Sequence, residues 1–376
     1  MYDVLVVGLG AVGSATTYEL ASRGASVIGV DAFAPPHTLG STHGKSRIIR
    51  EAYFEHPSYV PLVQRAFARW AALQAASGEQ LYRQTGGLSI GRPDSTLVAG
   101  VLRSAREHGL DVETLDRDAV RDRYPAFALE PDMIGVVERN AGMLAPEACI
   151  RACLGLAASS GAELVTGEGV SQIERRGGGF LATTPHRTIE ARRVVLCAGA
   201  WNRDLFAMLG IEIPLVVMRQ TMHWLAPVGD ANVRAPAMFP VTLIDHGEDR
   251  VFYAMPDTGD GVKAAIHHEG SATAAGDVDR AIRASDTAPV TELAERFIPD
   301  VAGPIVESVV CLYTNTPDHD FAIGIPSAAP GVVVVSACSG HGFKFACAIG
   351  EAAAQLALEQ PLNADLSHFD VDRFTA

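Results

Sequence analysis

The chain is short of positive charge. Its 30 Lys and Arg stand against 44 Asp and Glu, a formal net charge of −14. A surface of that sign repels phosphate backbones and anionic lipid, which argues against nucleic-acid and membrane partners. Long apolar runs are missing too. Stretches such as Val332 to Ala337 fall far short of the roughly 20 residues that a membrane span requires. Met1-Tyr2-Asp3 offers no basic n-region, and the apolar run behind it ends in glycines, so no secretory signal is expected. Cysteine is sparse. Cys149, Cys153, Cys197, Cys311, Cys338 and Cys347 read as a reduced, cytoplasmic set of thiols rather than a disulfide framework. What is present is apolar bulk. A hydrophobic content of 48% in 376 residues excludes general disorder and is enough for two or three domains of about 150 residues each.

The first thirty residues are the most legible. Val4 to Val7 is a β-branched run of the kind found in buried parallel strands. A helix is expected from Ala11 to Arg23, stopped by Gly24, and a second strand from Ser26 to Asp31. Further buried strands are expected at Val194 to Gly199 and Val332 to Val335. Helices are expected at Tyr59 to Ala76, Ala145 to Ser160, Asp277 to Phe297 and Phe343 to Leu358. Thr38 to Arg50 reads as a loop. The charge-dense stretch Ser95 to Tyr124 reads as solvated helix. Short alternating segments from Leu215 to Ile266 predict an antiparallel sheet.

The expected architecture is α/β. A discontinuous Rossmann-like nucleotide-binding domain (residues 1–85, 145–215 and 305–376) is joined to a mixed or antiparallel-sheet α+β domain (residues 86–144 and 216–304) that carries the substrate. Gly8, Gly10 and Gly13 form G-x-G-x-x-G between strand and helix, and Asp31 closes the second strand. Such glycines permit a tight turn and let a pyrophosphate approach the N–H groups of a helix N-terminus, while the acid can accept ribose hydroxyls. The triad alone does not separate FAD from NAD, and an NAD-dependent dehydrogenase is the competing class. Gly40-Ser41 beyond the second strand and the small residues of Leu196 to Trp201 favour FAD.

Two C-terminal segments are more specific. Cys311-Leu312-Tyr313-Thr314-Asn315-Thr316-Pro317-Asp318, followed by Ser339-Gly340-His341-Gly342-Phe343-Lys344-Phe345, resembles the monomeric sarcosine oxidase and N-methyltryptophan oxidase family. Ser46 to Arg50 and Leu196 to Trp201 match two further motifs, so the likeness runs from Tyr2 to about Leu358. The resemblance implies an FAD-dependent amine oxidase of the D-amino acid oxidase-like superfamily, monomeric, acting on a small secondary amino acid with O₂. The products would be the demethylated amino acid, formaldehyde and hydrogen peroxide. A cyclic or glycated amine, pipecolate or a biosynthetic imine precursor among them, is the alternative substrate.

The resemblance also implies roles. Cys311 matches the cysteine that carries FAD as an 8α-thioether. Arg50 and Lys344 match the pair that holds the substrate carboxylate, a task for which Arg supplies a planar fork and Lys a point charge. Arg47 matches a cation beside the flavin ring, and Lys263 the lysine that activates O₂ by electrostatic preorganisation. Tyr253, His267 and Tyr313 match active-site positions, and Ser41, Gly342 and Phe343 match cofactor-binding ones. Two features depart from the family pattern: the acidic segment Tyr253 to Asp260, and Glu51 where relatives often carry His. No metal site is expected.

Overall fold

The computed structural model describes residues 1–374. Two large sheets and one small one organise it. In the eight-stranded sheet, Tyr2–Val7 lies parallel to Val27–Asp31 on one side and to Thr188–Leu196 on the other. Glu163–Thr166 and Val332–Ser336 extend the parallel part, and the hairpin Gln172–Arg176 with Gly179–Thr183 adds antiparallel strands. The three runs read as buried parallel strands are therefore neighbours, with Val7 opposite Leu196 and Leu196 opposite Val334.

Helix Ala11–Ser22 follows the first strand directly and packs on helix Ala346–Ala357. Gly350 permits that approach, since a Cβ there would sit 2.6 Å from the Cβ of Ala15. Helix Tyr59–Ser77 joins the same core through Trp70, Tyr59 and Leu73.

The nine-stranded sheet runs in the order Ser271–Thr273, Val216–Pro227, Val262–His267, Val251–Met255, Val241–Asp245, Gly87–Gly91, Ile134–Glu138 and Val112–Leu115. Ala302–Asn315 pairs with Val216–Pro227 along almost its whole length. One pairing, Val241–Asp245 with Gly87–Gly91, is parallel, so the antiparallel expectation holds for every other neighbour. Among the described residues no helix is long and apolar enough to cross a membrane.

Several local expectations need correction. Thr38 to Arg50 is not wholly loop: Arg47–Ile49 pairs with Gly142–Leu144 in the three-stranded sheet, where Tyr82–Gln84 is the third member. Ser95 to Tyr124 is two helices, Thr96–His108 and Arg117–Arg123, split by strand Val112–Leu115. Gly109 ends the first in the left-handed region, and Asp116 caps the second through the N–H of Ala119. Helix Asp277 to Phe297 begins only at Ala284, because Arg219 ties the preceding segment down through the carbonyls of Asp279 and Ala281. Phe343–Phe345 is a 3₁₀ turn, and the α-helix proper begins at Ala346.

Candidate active site

The glycine loop sits where the parallel strands end. Gly8 has φ +92°, and a Cβ on Gly13 would lie 1.7 Å from the carbonyl oxygen of Gly8, so neither position accepts a side chain. Gly10 caps helix Ala11–Ser22 without a side-chain hydrogen bond, leaving its first N–H groups for an anion. Asp31 takes the Leu9 N–H on Oδ2 at 2.7 Å and the Phe33 N–H on Oδ1 at 2.8 Å. It thus braces the glycine turn, and each oxygen keeps a lone pair for a hydroxyl. Burial pushes its carboxyl above the usual value, against those two N–H groups and His37.

A cavity of about 430 Å³ opens from this loop and runs between the two large sheets. Its lining includes Gly8, Gly10 and Asp31 from the parallel sheet and its turns, and Arg47, Arg50, Tyr253, His267, Tyr313 and Lys344. Cys311, Ser41, Gly342 and Phe343 line it as well. The cradle without Cβ atoms, the uncapped helix start and the acid at the strand end fit a dinucleotide such as FAD.

Cys311 lies inside Ala302–Asn315, four residues before its end, and faces Gln220 in register. Its Sγ is buried, 3.6 Å from the carbonyl oxygen of Ser41 and 3.7 Å from Nη2 of Arg47. Burial pushes the thiol up, and Arg47 opposes that push. Arg47 also donates from Nη2 to the Ser41 carbonyl at 2.9 Å and from Nη1 to the Ser46 carbonyl at 2.9 Å.

Lys263 is 1% exposed and is not part of the cavity wall. It donates from Nζ to the carbonyls of Gly44 at 2.7 Å and Ser46 at 2.8 Å. Burial, aided by Arg47, holds its ammonium well below the usual lysine range.

The carboxylate-binding candidates are buried as well. Arg50 donates from Nη1 to the Ala52 carbonyl at 2.9 Å and from Nη2 to Glu55 at 2.6 Å. Its guanidinium lies 4.2 Å from the ring centre of Tyr53. Lys344 is enclosed, donating to the His341 carbonyl at 2.7 Å and to the Tyr53 oxygen at 3.2 Å. Burial and the nearby Arg50 lower its pKa to about 7. His267 has Nδ1 3.2 Å from the Tyr313 hydroxyl, and burial keeps its imidazole neutral. Tyr253 also lines the cavity, its phenol pushed up to about 12 by burial.

The cavity wall gathers every candidate except Lys263 and Gly13, the latter packed against Gly8 and Cys197. Sequence reasoning assigned no role to Glu55, Gly340 or His341, which line the wall, or to Tyr53, which is buried against Arg50 and Lys344. Gly340 has φ +74°, and a Cβ there would lie 2.4 Å from the Tyr313 ring and 2.7 Å from the His267 ring. Its place within the quoted Ser339 to Phe345 motif was the available signal.

Fold and cavity define a dinucleotide-binding oxidoreductase. The DAO family pattern, described as FAD dependent oxidoreductase, matches residues 3–356. Monomeric sarcosine oxidase of Streptomyces avermitilis is 37% identical over 380 residues, covering 100% of this chain and 98% of that protein. N-methyl-L-tryptophan oxidase of Yersinia pestis strain Pestoides F is 35% identical over 375 residues, covering 99% of each. The chain belongs to the FAD dependent oxidoreductase (DAO) family and is an FAD-dependent enzyme. Its fold is also that of NikD, an amino acid oxidase, at TM-score 0.87 and 23% identity over 98% of this chain and 97% of that one. The L-proline dehydrogenase from P. horikoshii has the same fold at TM-score 0.86 and 21% identity, over 100% and 98% of the two chains.

Proposed function

We propose that the chain oxidises N-methyl amino acids such as sarcosine or N-methyltryptophan, yielding the demethylated amino acid, formaldehyde and hydrogen peroxide. The observation that carries this is the presence of Arg47, Arg50 and Lys344 in the wall of one cavity, near enough for both arginines to act on the lysine, in a chain of net charge −14. The 37% and 35% identical relatives, named for sarcosine and N-methyltryptophan, support the substrate class.

Bound FAD supplies the two-electron acceptor, and its reoxidation by O₂ accounts for peroxide. The chain's own residues bind and orient. Arg50 and Lys344 hold the substrate carboxylate. Arg50 has two of its N–H groups engaged, on Ala52 and Glu55, and the rest of its fork is open to a carboxylate. Tyr253, His267 and Tyr313 wall the amine end. Lys263, fixed on two carbonyls, places positive charge for reaction with O₂. Cys311 holds FAD covalently as the 8α-thioether.

In the same reading the eight-stranded sheet belongs to the cofactor unit and the nine-stranded sheet to the substrate unit. Ala302–Asn315, which overlaps the cofactor segment 305–376, then belongs with the substrate unit. A monomeric state is supported by the name of the sarcosine oxidase relative, and a cytoplasmic setting by six free cysteines.

The test is a panel of N-methyl, cyclic and glycated amino acids with peroxide detection. Peroxide with sarcosine or N-methyltryptophan as a preferred substrate is expected. Turnover confined to a cyclic amine would replace this reading with the pipecolate-like one. Reduction of NAD without oxygen uptake would end both.

A further inference from the structure

Lys344 lines the cavity, and two of the three N–H bonds of its ammonium are already engaged. One goes to the carbonyl of His341, the other to the oxygen of Tyr53. The direction of the second bond is dictated by what lies beyond it. Tyr53 has its oxygen 2.7 Å from Nδ1 of His341, and Nε2 of His341 is 3.3 Å from the carbonyl oxygen of His319.

A carbonyl only accepts, so the His341 proton is on Nε2. Burial, with Lys344 adjoining, holds the His341 imidazole well below its ordinary value, so it is neutral. Nδ1 is then an acceptor, and the Tyr53 hydroxyl must donate to it. The Tyr53 oxygen is left with lone pairs only, and it accepts from Lys344. The chain has one possible sense: Lys344 to Tyr53 to His341 to His319.

Packing fixes the middle of this chain. Tyr53 is fully buried, stacked on Tyr59 at 4.7 Å and edge-on to Phe345 at 5.2 Å. Its face carries the Arg50 guanidinium at 4.2 Å. One tyrosine therefore touches both cations of the candidate carboxylate site. The His341 ring is held by Phe321, stacked at 4.9 Å.

We propose that Tyr53 and His341 are positioning residues that turn the third N–H of Lys344 into the cavity for the substrate carboxylate. This rests on the reading of Lys344 as a carboxylate ligand. With Tyr53 locked as an acceptor, the ammonium does not rotate freely, and its remaining hydrogen is aimed before the ligand arrives.

The test uses the holoenzyme and two probes, methoxyacetate and the uncharged methoxyacetamide, with binding read from the flavin absorbance. Tyr53→Phe keeps the ring and removes the hydroxyl. It should weaken methoxyacetate binding about three- to tenfold, the worth of a single hydrogen bond, and change methoxyacetamide binding little. In turnover the change should fall on KM more than on kcat. Tyr53 acts through Lys344, so Tyr53→Phe added to Lys344→Met should bring no further loss. Additive losses, or equal losses for acid and amide, would show a general packing role and overturn the inference. Lys344→Met alone checks the underlying reading. If it leaves methoxyacetate binding intact, that reading fails; if it weakens binding and Tyr53→Phe does not, only the positioning inference fails.

Discussion

Nη2 of Arg47 lies 3.7 Å from Sγ of Cys311, with the carbonyl of Ser41 in reach of both. A buried thiol is a poor nucleophile because burial disfavours the thiolate, and an adjacent guanidinium offsets that. Cys311 is thus the thiol in the cavity wall with its own cation. Acid precipitation of the wild-type enzyme should leave the yellow colour in the protein pellet. Cys311→Ala should release its flavin to the supernatant. Full release from wild type would remove Cys311 from this role.

Lys263 is buried on the Gly44 and Ser46 carbonyls, within electrostatic reach of Arg47 and Cys311 of the cavity wall. If its charge serves the reaction with O₂, Lys263→Met should slow reoxidation by roughly tenfold or more and reduction much less. Stopped-flow traces measure the two half-reactions separately. An unchanged oxidative phase would mean that Lys263 only holds the Gly44 and Ser46 carbonyls.

Arg50 is paired with Glu55 at 2.6 Å, both at the cavity wall. An incoming carboxylate competes with that partner. Glu55→Gln, which removes the competing charge, should tighten acid binding about three- to tenfold. Arg50→Lys should weaken it about tenfold or more, because Lys lacks the fork. Weaker binding in Glu55→Gln, measured by titration, would show that Glu55 holds Arg50 in place instead.

Burial lowers Lys344 to a pKa of about 7. The lysine is charged below that pH and neutral above it, and an anion binds the charged form. The dissociation constant for methoxyacetate should therefore be lowest below pH 7 and climb as the pH rises through it. Lys344→Met should flatten that part of the profile. A slope that survives in the mutant belongs to another group.

The glycine loop was legible because its chemistry is local. Strand, turn, helix and terminal acid follow one another within thirty residues, and steric exclusion at Gly8 and Gly13 is written in the missing side chains. Asp31 was read as an acceptor for ribose hydroxyls, whereas its backbone partners Leu9 and Phe33 appear only in three dimensions.

The substrate end was harder. It is assembled from residues far apart in the chain, such as Arg50, Tyr253, Tyr313 and Lys344, and no period or spacing links them. Tyr53 and Glu55 sat two residues apart beyond a recognisable motif and gave no signal of their own. The strand Val112–Leu115 was hidden by charge, because an edge strand at the rim of a sheet is as polar as a solvated helix.

The cysteine and the glycine loop stand on different sheets. Cys311 belongs to Ala302–Asn315 in the nine-stranded sheet, whereas Gly8 to Gly13 ends a strand of the eight-stranded one. A cofactor fastened to the first and gripped by the second would act as a clasp, covalent at one end and released at the other. Prying the sheets apart would strip the dinucleotide from its glycine cradle without losing it to solvent. Rebinding would then be an intramolecular event, governed by the length of the tether rather than by free cofactor concentration. Heated enzyme should therefore recover its flavin environment on cooling at a rate independent of protein dilution, and Cys311→Ala should lose that independence.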